Sequence, residues 1–255
     1  MKRIAIILFL LIPVVLSAQR RGKLRYNNEL SFGIGTTNVF GDIGGTSAEE
    51  NFFGLRDLDI TSTRYSFSFG YRYYFTERIS AKGFLMYGNL YGTDKGSKNP
   101  NRIDHYKTNM FEGSLQAEFY ILPYQLKPPP GYDIMQLRSG YKKSLLRFIP
   151  RPYIFVGIGA SYYMPKEIVS VSGEVYDNMS TDNGVAIVVP IGIGSKLEFN
   201  AITLGAELGG RITTTDFLDA YSNPEFSDSK DIYYSFIVSF AYTLDYSKVF
   251  KKWRF

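Results

Sequence analysis

His105 is the only histidine in the chain, and it stands beside Asp104 in the stretch RIDHY. A His–Asp pair is two thirds of a hydrolase triad, and such a triad acting on lipid could be built on a membrane scaffold. No serine is held near it on a strand-like segment, so a solvated histidine in an outer loop is the better reading. Glu112 and Glu118 share one face of a strand-like segment but stand six residues apart. At ~3.3 Å per residue they are too distant to work as an acid–base dyad, and they read as partners in structural ion pairs. Asp42, Glu49 and Glu50 supply the oxygen chemistry that Ca²⁺ prefers. Their spacing is not that of an EF-hand, and a solvated acidic loop explains them. The GIG and IGIG runs lack the lysine and the helix opening of a phosphate-binding loop. With no cysteine, the chain has neither a thiol nucleophile nor disulfides. The expectation is a non-enzymatic protein with no catalytic residue, no metal site and no cofactor.

The segments that carry these residues have a period of two. In RYSFSFGYRYYF, residues 64–75, every odd position from Tyr65 to Phe75 is aromatic, while Arg64 and Arg72 fall on the even face. This is a β-strand with two chemically different faces. Similar alternation recurs over 29–40, 79–92, 109–122, 152–164, 184–196, 200–214 and 232–244. Pro190 within the sixth segment cannot donate to a ladder and predicts a local bulge. The joins at about 41–61, 93–106, 165–182 and 215–231 are long and polar; those at 76–78 and 197–199 are tight. Alternating long and short joins are the habit of a membrane barrel with long outer loops and short periplasmic turns. The fold class is therefore all-β, an antiparallel membrane-spanning barrel of about eight strands. An even strand number places both termini on the periplasmic side.

The polar phase carries Glu29, Arg64, Arg72, Lys82, Glu112, Glu118, Lys196, Glu207 and Arg211. The apolar phase of the clear strands carries no charge, as it must in lipid, where Lys or Arg at the midplane costs ~2–4 kcal/mol. A soluble sandwich with its charged face in water is the competing reading, but the leader, the aromatic strands and the sorted loops favour the barrel. A barrel of this size has an interior just wide enough for side chains. These charges are expected to form a packed, salt-bridged plug, not a channel. Composition agrees with this reading: 21 Tyr, 20 Phe and 24 Gly suit girdled strands. The start, MKRIAIILFLLIPVVLSAQ, has a basic end, an apolar run and small residues before Gln19. It reads as a signal peptide over 1–18, cleaved after Ala18, with residues 19–255 forming the outer-membrane barrel domain. The formal charge is +5, or +3 once Lys2 and Arg3 leave with the leader. That is too mild to point to nucleic acid.

Two segments stand apart. The join at 123–151 lies on the expected periplasmic side yet is long, and it carries Lys127, Arg138, Lys142, Lys143 and Arg147. The tail at 245–255 adds Lys251, Lys252 and the single tryptophan, Trp253. A basic surface with aromatic anchors suits docking to an acidic periplasmic protein. Contact with lipid phosphates, or a terminal assembly signal at Phe255, would also account for it. NVFGDIGG at 38–45 and RPYIFVGIGASYY at 151–163 resemble the PorG-like outer-membrane β-barrels associated with the type IX secretion system. The resemblance in layout runs over most of the mature chain. It implies a small barrel that anchors or docks a periplasmic ring of a secretion machine, with outer-membrane lipid and ring proteins as partners and no enzymatic activity. The PPPGYDIMQ stretch within the insert has no counterpart in that pattern. An opacity-type barrel serving envelope integrity or surface adhesion is the alternative.

Overall fold

The computed structural model describes residues 28–40, 62–94, 103–122, 150–171, 179–199, 202–215, 217–220 and 231–244. Among them are eight strands: β1 Asn28–Phe40, β2 Arg64–Tyr74, β3 Ile79–Gly92, β4 Ile103–Tyr120, β5 Arg151–Ser170, β6 Gly184–Phe199, β7 Ile202–Thr213 and β8 Ile232–Leu244. Each pairs antiparallel with its sequence neighbour, and β1 pairs with β8 from Asn28↔Leu244 to Phe40↔Ile232, so the sheet closes and has no edge. The leader, the acids Asp42, Glu49 and Glu50, residues 123–149 and the tail 245–255 lie outside the described residues.

Closure puts the two strand faces in different media. The odd aromatics of β2 from Tyr65 to Tyr73, with Phe75 beyond it, point outward, as do Phe32, Leu85, Phe111, Ile158, Ile191, Leu204 and Phe240. Leu115 and Val185 are 71 % and 70 % exposed. A continuous apolar belt around a closed sheet is costly in water and at home in lipid, so the barrel is membrane-spanning. Aromatic pairs knit the belt together: Phe32 meets Phe69 at 5.1 Å between ring centroids, and Tyr87 meets Phe111 at 4.8 Å. No charged side chain lies on the outward face within this belt among the described residues.

Two expectations are corrected. Pro190 makes no bulge: β5 and β6 pair through Val156↔Ile191 and resume at Gly159↔Val188 in the same register. Proline omits its own ladder bond without inserting a residue. The β4–β5 strand pair is also longer than the alternation predicts, at 18 and 20 residues. A membrane strand needs ~9–11, so the start of β4 and the end of β5 project beyond the hydrocarbon at the long-loop end. The pair carries register shifts between Ile103 and His105 and between Lys107 and Thr108. His105 is therefore a strand residue, paired with Val169, and not part of a loop.

Candidate functional site

The lumen is where the charged side chains converge. Its half nearer the short turns holds three acids and three bases, all buried: Glu29, Glu118 and Glu207 with Arg72, Lys82 and Lys196. They come from six different strands. Arg72 grips Glu118 with two parallel bonds, Nε at 2.5 Å and Nη2 at 2.8 Å, and its Nη1 donates to Glu29. Lys82 Nζ donates to both oxygens of Glu207, at 2.8 and 2.7 Å. Lys196 Nζ reaches Glu29 at 2.5 Å and the Tyr74 hydroxyl at 2.7 Å. Arg72 and Lys82 are direct cross-strand partners, two like charges side by side. They are held there because Glu118 and Glu207 face them from β4 and β7. Buried charges survive only when they are paired and hydrogen-bonded, and this set balances to zero.

Tyrosines complete the network. Tyr120 and Ser80 donate to Glu118 at 2.8 and 2.6 Å, Tyr74 donates to Glu29 at 3.1 Å, and Tyr153 donates to Glu207 at 2.5 Å. Tyr153 achieves its contact by a specific device. It pairs across the ladder with Gly194, which pairs in turn with Glu207. With no side chain at Gly194, the Tyr153 ring crosses β6 and sets its hydroxyl on the β7 carboxylate. A Cβ at Gly194 would lie 2.5 Å from the Tyr153 hydroxyl oxygen. Phe155 crosses Gly192 in the same manner and reaches Gly209.

A second tier lies further up. Arg211 Nε donates to Glu112 at 3.2 Å, and Glu112 also accepts from Tyr233 and Ser114, each at 2.9 Å. Glu112 and Glu118 thus belong to separate ion pairs, as their spacing requires. From this tier upward the lumen changes character, with Phe84 packed between Lys82 and Arg211 and Met86 level with Glu112. Phe84, Met86, Leu90, Ile103, Met110, Val188 and Ile237 form a buried apolar cluster. Leu218 of the β7–β8 connection seats into it from the mouth. Its N–H donates to Asp231 at 2.8 Å, and Ser180 N–H donates to the Ala220 carbonyl at 3.0 Å. Ala220 holds φ at 62°, in the left-handed region that L-residues avoid. The expected salt-bridged plug is present in the half near the turns; the outer half is instead a hydrophobic core under a loop cap.

Of the predicted interior charges, Arg72, Lys82, Glu112, Glu118, Glu207 and Arg211 are all buried in the lumen. Arg64 is the exception. As the first residue of β2 it lies at the rim, half-buried, with its guanidinium 3.9 Å above the Tyr91 ring. Its phase is right, but at the strand end the long side chain can swing out of the lumen. The interior tyrosines Tyr74, Tyr120 and Tyr153 were not singled out by sequence reasoning; sharing the glutamates' phase was the available signal. Arg151, which borders the basic insert, is buried instead. It pairs with Glu198 and donates to the Glu77 carbonyl at 3.1 Å, tying the β2–β3 turn to the base of β5. The docking candidates Lys127, Arg138, Lys142, Lys143, Arg147, Lys251, Lys252 and Trp253 lie outside the described residues. Above the belt, His105 Nδ1 lies 2.8 Å from Asp104 and its Nε2 lies 3.5 Å from Glu167. Lys107 donates to Glu167 at 2.9 Å; this hydrogen bond and the ammonium charge hold the exposed Glu167 carboxyl below its ordinary range.

Comparison with solved structures finds other barrels. Ail, the attachment invasion locus protein of Yersinia pestis, is 11 % identical with a TM-score of 0.44, over 87 % of this chain and 100 % of that one. Neisserial surface protein A is 6 % identical with a TM-score of 0.44, over 85 % and 96 %. The outer membrane protein OprG of Pseudomonas aeruginosa is 9 % identical with a TM-score of 0.40, over 86 % and 97 %. No curated protein matches the sequence. A family model does match, over residues 2–244, and by that match the chain belongs to the family described as domain of unknown function DUF6089.

Proposed function

We propose that this chain is a non-enzymatic outer-membrane barrel that serves as an anchor or accessory component of a type IX protein secretion machine, docking periplasmic partners. The observation that carries the reading is the filled lumen. A paired ion network occupies one half and an apolar core under the Leu218 cap occupies the other. Such an interior supports a rigid membrane fixture over a conduit. The apolar belt and the expected leader support the outer membrane as its site, with the short turns toward the periplasm. The basic insert and tail then share the periplasmic face, and the NVFGDIGG and RPYIFVGIG resemblance supplies the class of machine.

A second reading is favoured by the projecting outer ends of β4 and β5, which suit an opacity-type role in surface adhesion or envelope integrity. Reversing Lys142, Lys143, Lys251 and Lys252 to glutamate separates the two. Docking predicts a correctly inserted barrel that loses its co-purifying periplasmic partner, a loss that high salt reproduces in the wild type. A partner retained at full occupancy would remove the periplasmic face as the docking surface and favour the projecting outer ends of β4 and β5.

A further inference from the structure

His105 lies in the projecting start of β4, and both of its ring nitrogens face acids. Nδ1 is 2.8 Å from an oxygen of Asp104, its neighbour on β4, and Nε2 is 3.5 Å from an oxygen of Glu167 on β5. The ring lies against Tyr91 of β3, with 6.0 Å between centroids and 23° between planes. The backbone of His105 pairs with Val169, and the β4–β5 ladder shifts register on either side of it. Such irregularities re-aim the side chains beside them. At this point the two strands are joined by side chains as well as by their ladder.

The proton count decides what this arrangement does. A neutral imidazole has one N–H, and its other nitrogen is an acceptor. It can donate to Asp104 or to Glu167, and the carboxylate that it does not serve then faces a lone pair. The imidazolium donates to both. Among the described residues, the other charged groups of this cluster come from three strands. Lys107 of β4 donates to Glu167 at 2.9 Å, so the two oxygens of Glu167 are divided between the ammonium and the ring. Lys166 of β5 is exposed beside Glu167. Arg64 of β2 lies 3.9 Å from the centroid of the same Tyr91 ring. Arg64 and Asp104 each make further contacts besides these. The hydrogen bond and charge of Lys107 hold the Glu167 carboxyl below its ordinary range. Glu167 therefore stays an anion in the mild acid where a histidine gains its second proton.

We propose that Asp104, His105 and Glu167 form a pH-sensitive latch between the outer ends of β4 and β5. The latch is closed when the ring carries both protons and open on the Glu167 side when the ring is neutral. It is complete in mild acid and is lost as pH rises through the titration of His105. The contact to Glu167 is the one that yields, because it is the longer and because Lys107 retains that carboxylate. The proposal stands on neither reading of the function. The ends that it fastens are those that a surface role would present, so their order follows the acidity of the medium.

The test uses the full-length barrel, labelled with ¹³C and ¹⁵N and folded in lipid nanodiscs. His105 is the only histidine, so its ring signals need no assignment. Ring ¹⁵N shifts should show both nitrogens protonated at about pH 5 and one tautomer at about pH 8, on either side of the histidine range. Over the same interval the amide protection factors of Glu167 and Val169 should fall about threefold, the scale of a part-exposed ion pair. Glu167→Gln should lower the protonation constant of the ring about threefold and abolish that step in protection. His105→Phe keeps a ring for Tyr91 but has no nitrogen in it, and its protection should show no step. A protonation constant unmoved by Glu167→Gln overturns the latch, as does the same step in His105→Phe. If neither variant folds as a barrel, the wild type alone decides, and protection that stays level while the ring titrates overturns it.

Discussion

At the scale of single residues, Glu118 is the keystone of the lumen. It accepts from Arg72, Tyr120 and Ser80, with Lys82 at 3.7 Å. Removing it takes the bidentate carboxylate from the buried Arg72 guanidinium and leaves Glu29 as its close acidic partner, and truncating one partner of a buried pair costs ~3–5 kcal/mol. Glu118→Ala should destabilise the barrel by that amount in urea unfolding from lipid vesicles. The Arg72→Ala, Glu118→Ala double variant should lose much less than the sum, since each single change includes the cost of the charge left behind. Additive losses would mean that the two residues act separately. Most of these charges were legible in the sequence because a polar residue in the wrong phase for lipid has only the lumen to enter. Arg64 was misplaced by the same logic: phase gives a direction for Cβ, but a long side chain at a strand end can leave that direction. Tyr74, Tyr120 and Tyr153 were obscured for a related reason. An aromatic ring suits lipid as well as a packed interior, so residue type alone did not reveal which hydroxyls bind carboxylates.

At the scale of elements, the recurrent unit is an inward aromatic laid across a glycine on the next strand. Tyr153 faces Gly194, Phe155 faces Gly192, Tyr163 faces Gly184 and Tyr106 faces Gly92. The arrangement covers the glycine and lets one strand reach the next but one, which explains the IGIG run of β6 better than backbone freedom does. Gly194→Val should therefore push Tyr153 off Glu207 and leave a buried carboxylate short of one donor. The expected effect is a loss of ~2–4 kcal/mol, combining overpacking with a broken buried bond, and Tyr153→Ala in the same chain should recover part of it. A Gly194→Val barrel as stable as the wild type would contradict the crossing geometry. Strand number, pairing order and face were legible from period-two alternation. Strand length was not, because the alternation that marks a strand in lipid weakens above the membrane. There Ile103, Tyr106 and Ile168 pack beneath the cap and the outward positions turn polar, so β4 and β5 resembled loops.

At the scale of the whole molecule, the two halves of the lumen are sealed by opposite chemistry. Near the turns, ions from β1 to β4 and from β6 and β7 are fastened across the barrel, Glu29 to Lys196 and Lys82 to Glu207. These bonds span strands that are not neighbours, so they resist opening and shear in a way the ladder alone does not. Toward the mouth, Leu90, Ile103, Tyr106 and Met110 fill the cross-section, and Leu218 closes it. An ion crossing this interior would have to break a paired network and then shed its water against apolar side chains, each a prohibitive step. Purified barrel in a planar bilayer should therefore give no discrete, ohmic conductance at moderate voltage. Removing the cap by Leu218→Asp should not create a pore, because the network beneath still closes the lumen. Replacing Arg72, Glu118, Lys82 and Glu207 together by alanine, if the barrel still inserts, should permit leak only when the cap is also opened. Porin-like steps from the wild type would overturn the sealed lumen and with it the case for a fixture over a conduit. Silence from the wild type and from Leu218→Asp, with leak confined to the combined variant, would place the seal in two independent layers.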